Sequence, residues 1–389
     1  MRVTLVTDSF RPEVNGVTTV LATMRAGLIA RGHAVQVIAP GYGQSADGRE
    51  DDVSRVPSVP CPAYPAVRLS SPIGRGLASL IDRFEPDIIH AATEGPLGVY
   101  GRARALRTGR PLVTSFHTDF PRYAERYLGP WAVAPTRRYL RWFHGPARVT
   151  QTPSEITCAE LRRLGIPRPV VWGRAVDCHL FRPSRRDEQR RRELGAAGRV
   201  LVLHVGRLAR EKDVQSLIGA FQRARAALSD RAAFCVAGDG PEAATVRQAL
   251  PFATHLGFLD RDRLADVYAA ADVFVLTSPT ETCGLVVLEA MASGVPVIAA
   301  DAGGVRDNVR DGTTGRLCPA GDAEAFADAI AELTNAAEIR LWMGQAARSF
   351  AVARDWAREL DVLVEQYESA RPPAAAARND DRVPRLVPG

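Results

Sequence analysis

Lys212 is the only lysine in the chain; every other member of its 50 Lys and Arg residues is arginine. It stands five residues after Arg207 in Gly206-Arg207-Leu208-Ala209-Arg210-Glu211-Lys212. That segment directly follows the apolar run Val200–Val205, which reads as a buried strand. An arginine fork and a lysine point charge at one strand mouth match the two geometries that phosphate sites use. Taken alone, the same run reads equally well as a solvated basic loop.

A second cluster of chemistry-bearing residues follows another buried-strand candidate, Val273–Leu276. The stretch Leu285–Ala292 is apolar except for Glu289 and reads as a helix beginning near Gly284. Glu289 then sits about one and a half turns into a buried helix, where a carboxylate is costly unless something hydrogen-bonds it. Glu281 lies in the preceding loop, and Gly284 allows backbone N–H groups at the helix start, beside Leu285, to approach an anion closely. The set suits a nucleotide sugar, with diphosphate at the helix start and sugar and ribose hydroxyls on the two acids.

Glu281 and Glu289, separated by seven residues and followed by Ala290-Met291-Ala292-Ser293-Gly294-Val295-Pro296-Val297, resemble the Glu-x7-Glu signature of the family-4 retaining glycosyltransferases. Gly206-Arg207 with Lys212 resembles that family's diphosphate clamp, and Ala237-Gly238-Asp239-Gly240-Pro241 its mid-domain turn. Gly303-Gly304 and Asp311-Gly312-Thr313-Thr314-Gly315 resemble its later turns, and Phe10-Arg11-Pro12-Glu13-Val14-Asn15-Gly16-Val17 the glycine loop over the donor phosphates. The resemblance runs from Met1 to about residue 368. It implies a GT-B fold and a nucleotide-diphosphate sugar donor with no further cofactor; no acidic pair clearly demands a metal, and Arg207 with Lys212 can supply the positive charge. It implies His117, Glu281, Arg207 and Lys212 as catalytic residues, and Gly16, Arg207, Lys212, Gly284, Leu285 and Glu289 as donor-binding residues. Retention of anomeric configuration is implied as well.

His117 in Ser115-Phe116-His117-Thr118-Asp119-Phe120-Pro121 leaves the end of a strand candidate. A lone histidine there reads first as a capping or core residue. In the resembling family a histidine at this place lines the donor sugar, and His-Thr followed closely by Pro marks a subgroup of GDP-mannose-dependent mannosyltransferases and sulfoquinovosyl-diacylglycerol synthases. Asp8 and Asp119 read as capping or loop carboxylates, and His90 and His204 as structural. Two positions depart from the family: Ala175 stands where glycine is usual, and Cys283 where phenylalanine is common.

Apolar strand candidates alternate with helical stretches along both halves, which argues for α/β architecture with doubly wound parallel sheets. The first half offers strands at Val3–Thr7, Ala34–Ala39, Asp87–Ala91, Leu112–Phe116 and Val149–Thr152, with helices Gly16–Ala30 and Pro96–Arg107. The second offers Leu201–Val205, Phe234–Ala237, His255–Leu259, Val273–Thr277, Val295–Ala299 and Gly315–Cys318. The expected organisation is an acceptor-side Rossmann-like domain over 1–178, a linker over 179–198 and a nucleotide-sugar domain over 199–350. A helix over 351–370 crosses back to the first domain, and 371–389 forms a disordered tail. Facing domains place both sets of strand C-termini at one cleft, where such sheets bind ligands.

A net charge of +6 and a pI near 9.2 invite a nucleic-acid partner, but the arginines are spread throughout and no stacking repeat, finger or helix-turn-helix accompanies them. A local cluster, Pro135–Phe143, interleaves arginines with aromatic rings, with Arg122, Tyr123, Arg126 and Tyr127 upstream. It reads as peripheral contact with an anionic membrane carrying a lipid acceptor, or as a solvated helix. The six cysteines lack a Cys-x-x-Cys pair and read as reduced thiols of a cytoplasmic protein. The function expected is transfer of a hexose, mannose from GDP-mannose, to a lipid or glycolipid. Alternatives are a UDP-sugar enzyme acting on a soluble sugar, or an epimerase or phosphorylase of the same fold. An oxidoreductase is excluded because Asp8-Ser9-Phe10-Arg11-Pro12 stands where a Gly-x-Gly-x-x-Gly would follow the first strand.

Overall fold

The computed structural model describes residues 1–43, 50–61, 64–71, 75–173 and 175–372. The first domain contains β1 (Arg2–Val6), β2 (Ala34–Pro40), β3 (Val53–Val56), β4 (Ser58–Cys61), β5 (Tyr64–Ser70), β6 (Ile88–Ala91), β7 (Leu112–Ser115), β8 (Val149–Thr152) and β9 (Pro169–Val171). Seven of these form a parallel sheet in the order β3-β2-β1-β6-β7-β8-β9, and β4 and β5 pair antiparallel beside it. The second domain holds β10 (Val200–Val205), β11 (Ala232–Ala237), β12 (Thr254–Gly257), β13 (Val273–Leu276), β14 (Val297–Ala300) and β15 (Gly315–Cys318). They form a parallel sheet in the order β12-β11-β10-β13-β14-β15.

Central strands such as β7, β11 and β13 are buried at every residue, as expected where helices cover both faces of a parallel sheet. In both sheets the order reverses at the first strand, between β1 and β6 and between β10 and β13. Ligands of open α/β sheets bind outside the strand ends at such reversals. The two domains turn these ends toward each other, which is the GT-B architecture.

The final helix, Trp356–Ala370, packs on the first domain: Leu360, Leu363 and Tyr367 join Val3, Leu5, Leu21 and Met24 in one apolar cluster. Gly27 makes this approach possible, because a Cβ there would lie 2.3 Å from Leu360 Cδ1. Trp172 Nε1 donates to the Glu359 carbonyl at 2.7 Å, tying the helix to the crossover between domains. The tail expected over 371–389 lies outside the described residues from 373 onward.

The arginine-rich segment expected to be a linker over 179–198 is folded onto the second domain. It carries the helix Glu188–Glu193, and Phe181, Leu194 and Ala196 enter that domain's core. Arg191 is buried, donating to Asp272 Oδ2 at 2.9 Å and to the carbonyls of Ala270, Ala196 and Arg199. A full set of acceptors makes a buried guanidinium tolerable, so charge content alone misreads this stretch as a linker. Strand limits also shift by one or two residues, two of them for reasons visible in the chain. β12 ends at Gly257, whose φ of 63° turns the chain, and β14 begins at Val297, past Pro296, which has no N–H for the ladder.

Candidate functional site

Beyond β10 the chain crosses the mouth of the second sheet as Gly206–Asp213, ending in a tight turn at Arg210–Lys212. The Ala237–Gly240 turn supports it: Gly206 N–H donates to Ala237 O at 3.1 Å and Leu208 N–H to Asp239 O at 3.0 Å. Gly238 has φ 133°, and a Cβ there would lie 1.9 Å from Gly206 O, so glycine is required for the two turns to stack. Hydroxyls from the loop after β13 hold the next residues. Thr277 Oγ1 donates to Asp213 O at 3.1 Å, and Thr280 Oγ1 to Glu211 O at 3.1 Å.

Lys212 Nζ donates to Glu281 Oε1 at 2.6 Å, with side chains 19% and 17% exposed. Burial works against the ammonium, but Glu281, Tyr123 and Glu211 outweigh it and raise its pKa. Burial likewise pushes the Glu281 carboxyl up, while Lys212 and Ser278 pull it below its usual range. Both groups are therefore charged. The sequence assigns Lys212 to phosphate and Glu281 to sugar separately; the structure places them in one ion pair, with Arg207 on the same loop.

Glu281 is fixed through its backbone. Its carbonyl accepts from Gly304 N–H at 2.7 Å, and Asn308 Nδ2 donates to Cys283 O at 2.5 Å. The Cys283 position is thus held by its carbonyl. Gly284, at φ 73°, caps the helix Leu285–Ala292, whose first-turn N–H groups face away from the helix body. Glu289 lies further along this helix, 12% exposed, with Arg261 Nη1 at 3.8 Å and the Tyr268 hydroxyl beside it. Burial raises its pKa to about 7, more than Arg261 and Tyr268 offset.

From the first domain, Gly16 opens the helix Gly16–Ala30, where Asn15 Oδ1 accepts from Thr18 N–H at 2.8 Å. A Cβ on Gly16 would stand 3.4 Å from Leu285 Cδ1, so these two expected donor residues meet across the cleft. His117 follows β7, and its carbonyl accepts from Thr282 Oγ1 of the opposite domain at 2.7 Å. Its Nε2 is buried with no hydrogen-bond partner among the described residues, and burial lowers the imidazole pKa to about 4. His117 is therefore neutral near pH 7. A cavity of about 850 Å³ is lined among others by Arg11, Glu13, Asp177, Phe258, Asp260 and Arg261; Arg261 links it to Glu289, which does not itself line it.

Asp119 caps the helix Phe120–Leu128, and Asp8 accepts from the N–H groups of Leu97 and Gly98 at the start of the helix Pro96–Thr108. His90 sits between Tyr367 and Ser115, and His204 against the Val275 carbonyl. Tyr123, Arg261, Tyr268 and Asn308 belong to the site and were not anticipated. None lies in a glycine-rich motif, and only tertiary packing brings them in.

The basic-aromatic cluster falls on the helices Phe120–Leu128 and Val133–His144. Its face differs from the expectation: Phe143 is in the core, while Leu128 and Trp131 are 60% and 70% exposed. Tyr139, Trp142, Arg126, Arg137, Arg138 and Arg141 are exposed with them, and no acidic residue occurs between Glu125 and Glu155. No helix among the described residues is long and apolar enough to cross a membrane. Among the described residues no group of three or more His, Cys, Asp or Glu is placed to hold a metal ion.

Two family descriptions match the chain, Glycosyltransferase Family 4 over residues 14–180 and Glycosyl transferases group 1 over residues 185–350. A GDP-mannose-dependent alpha-mannosyltransferase of Mycobacterium tuberculosis is 38% identical over 377 residues, covering 95% of this chain and 97% of the relative. The chain belongs to the family-4 glycosyltransferases. It is a nucleotide-sugar-dependent hexosyltransferase. Sulfoquinovosyl transferase SQD2 of Arabidopsis thaliana is 37% identical over 325 residues, covering 80% of this chain and 62% of that protein. Among solved structures, Anabaena HepE in complex with UDP and glucose superimposes with a TM-score of 0.76 at 21% identity, covering 95% of this chain and 100% of that one. Sucrose-phosphate synthase from Thermosynechococcus elongatus gives 0.78 at 20% identity, with 94% and 98% covered. These two similarities concern the fold.

Because Lys212 and Glu281 are bonded to each other, their losses should not add. Lys212→Ala is expected to lower transfer by ~10²-fold, the scale of one lost preorganised donor. Glu281→Gln should impair it too, and the double variant should be less impaired than the product of the singles. Steady-state kcat/KM for the three variants checks this; strictly multiplicative losses would separate the two residues. The Glu289 carboxyl carries the second expectation. Below about pH 7 it is protonated in the free enzyme, and above it ionised and better able to accept hydroxyl donors. Donor kcat/KM should therefore rise with pH through about 7, and Glu289→Gln should flatten that inflection.

Proposed function

We propose that the chain transfers mannose from GDP-mannose, with retention, to a lipid-borne acceptor at a cytoplasmic membrane face. The observation that carries the donor is the 38% identity, over nearly the whole of both chains, to a protein named for GDP-mannose-dependent mannosyl transfer. The exposed arginine-and-aromatic face around Trp131 and Arg137–Trp142 supports the acceptor class, a glycerolipid or phosphatidylinositol-type lipid. Rings and long arginine stems seat in the interface while guanidinium groups meet anionic headgroups.

In this reading Arg207 and Lys212 neutralise the diphosphate as the glycosidic C–O bond breaks. Backbone N–H groups at Gly16 and at the Gly284 helix start add further donors aimed at the leaving group. Glu281, oriented by Lys212, takes sugar hydroxyls, and Glu289 the ribose. Neutral His117 lines the sugar face, and the acceptor attacks on the side from which the diphosphate leaves. The two cations supply the positive charge that a metal supplies in other transferases. A second reading, a sulfonated hexosyl donor, is favoured by the 37% identity to the sulfoquinovosyl transferase.

Purified protein incubated with radiolabelled GDP-mannose or UDP-glucose and extracted membrane lipid should label lipid from GDP-mannose. Labelling from UDP-glucose alone overturns the donor. Flotation tests the surface: wild type should float with anionic but not neutral liposomes at low salt. Each of Arg137, Arg138 and Arg141 contributes on the order of 1 kcal/mol. Changing all three to Ser should therefore abolish flotation. If wild type stays at the bottom, a soluble sugar acceptor replaces the lipid.

A further inference from the structure

The helix Phe120–Leu128 has no buried residue, so the core of its own domain does not hold it. Besides ion pairs of Arg122 with Asp119 and Glu160 of its own domain, its polar contacts reach the opposite domain, at the two loops that carry Lys212 and Glu281. Arg122 Nη1 donates to Pro279 O at 2.9 Å. The Tyr127 hydroxyl donates to Glu211 Oε2 at 2.5 Å. Tyr123, its ring 6.5 Å from that of Tyr127, lies beside Thr280 and close to Lys212 and Glu281.

Glu211 is the unexplained member of this group. It is a carboxylate only 1% exposed, adjacent in sequence to the lysine expected to meet a diphosphate. A buried carboxylate needs a hydrogen-bond donor; besides Tyr127, both Tyr123 and the Lys212 ammonium lie within electrostatic range of Glu211, and of the two only Lys212 carries an opposite charge. In this structure, where the two domains are in contact, Lys212 Nζ is bonded to Glu281 instead, while Tyr127 occupies Glu211. We propose that Tyr127 is a positioning residue for the donor. Its hydroxyl, delivered from the first domain, keeps the Glu211 carboxylate off Lys212, so nucleotide affinity depends on the domains being closed. This rests on the reading that Lys212 receives the diphosphate. When the domains part, or when the hydroxyl is missing, Glu211 turns to Lys212, competes with the incoming phosphate and repels it. Glu211 is thus an internal competitor that domain closure disarms.

Calorimetric titration with GDP and with UDP, each alone, tests this without needing the acceptor; the tighter of the two serves as the reporter. Tyr127→Phe removes one oxygen from a half-exposed ring and should leave the melting temperature close to wild type. It is expected to weaken nucleotide binding about tenfold, the scale of one hydrogen bond to a charged group. In a Glu211→Gln background, where the competing charge is gone, the same substitution should change affinity less than about twofold. Equal weakening in both backgrounds, or none in the wild type, overturns the proposal. Lys212→Ala is the separate control. If its affinity for the tighter nucleotide equals that of wild type, or if wild type binds neither GDP nor UDP, the clamp reading itself fails and Tyr127 has nothing to position.

Discussion

An ammonium and a carboxylate withdrawn from water, each kept charged by the other, form the constraint around which the second domain is arranged. Lys212 and Glu281 come from loops after different strands, so their 2.6 Å contact exists only if β10 and β13 are neighbours. Neighbouring strands alone do not suffice. The Gly238 turn must lie under the Lys212 loop, and the Gly304 N–H must hold the Glu281 carbonyl. Breaking either support would leave one buried charge without its partner, a heavier loss than the pair's net contribution.

Under the proposed function, the same pair lets one site serve both a polyanion and a neutral sugar. A site of cations alone would bind any phosphate, and a site of carboxylates alone would repel the donor. In that reading, pairing them sets phosphate and hydroxyl recognition a few ångströms apart, on the leaving-group side and the sugar side of one bond. Arg261, 3.8 Å from Glu289, lines the 850 Å³ cavity, where a nucleoside has room. The first domain contributes less charge and more shape: Gly16 against Leu285, neutral His117, and hydroxyl and guanidinium contacts from the Phe120–Leu128 helix.

Much of this was legible in the sequence because it rests on local rules. The helix Gly16–Ala30 has the limits expected of it, and the strand mouths carrying Arg207, Lys212 and Glu281 follow from the apolar runs Val200–Val205 and Val273–Leu276. What was not legible depends on partners far along the chain. Arg191 reads as part of a linker until Asp272 and three carbonyls are found around it. Phe143 reads as surface until the helix docks, and Tyr123 and Tyr127 read as part of a membrane face although they reach toward Thr280 and Glu211 of the other domain. The pairing of Lys212 with Glu281 is of the same kind, since each motif predicts its own ligand and neither predicts the other.

The central claim is that the Lys212–Glu281 pair is where donor phosphate and donor sugar meet the protein. A crystal structure with an intact nucleotide sugar bound tests it most directly. The account predicts diphosphate oxygens within hydrogen-bond distance of Lys212 Nζ and the Arg207 guanidinium, sugar hydroxyls on Glu281, and the ribose on Glu289. A donor bound elsewhere in the cleft, with the Lys212–Glu281 contact untouched and Glu289 facing no hydroxyl, would contradict it.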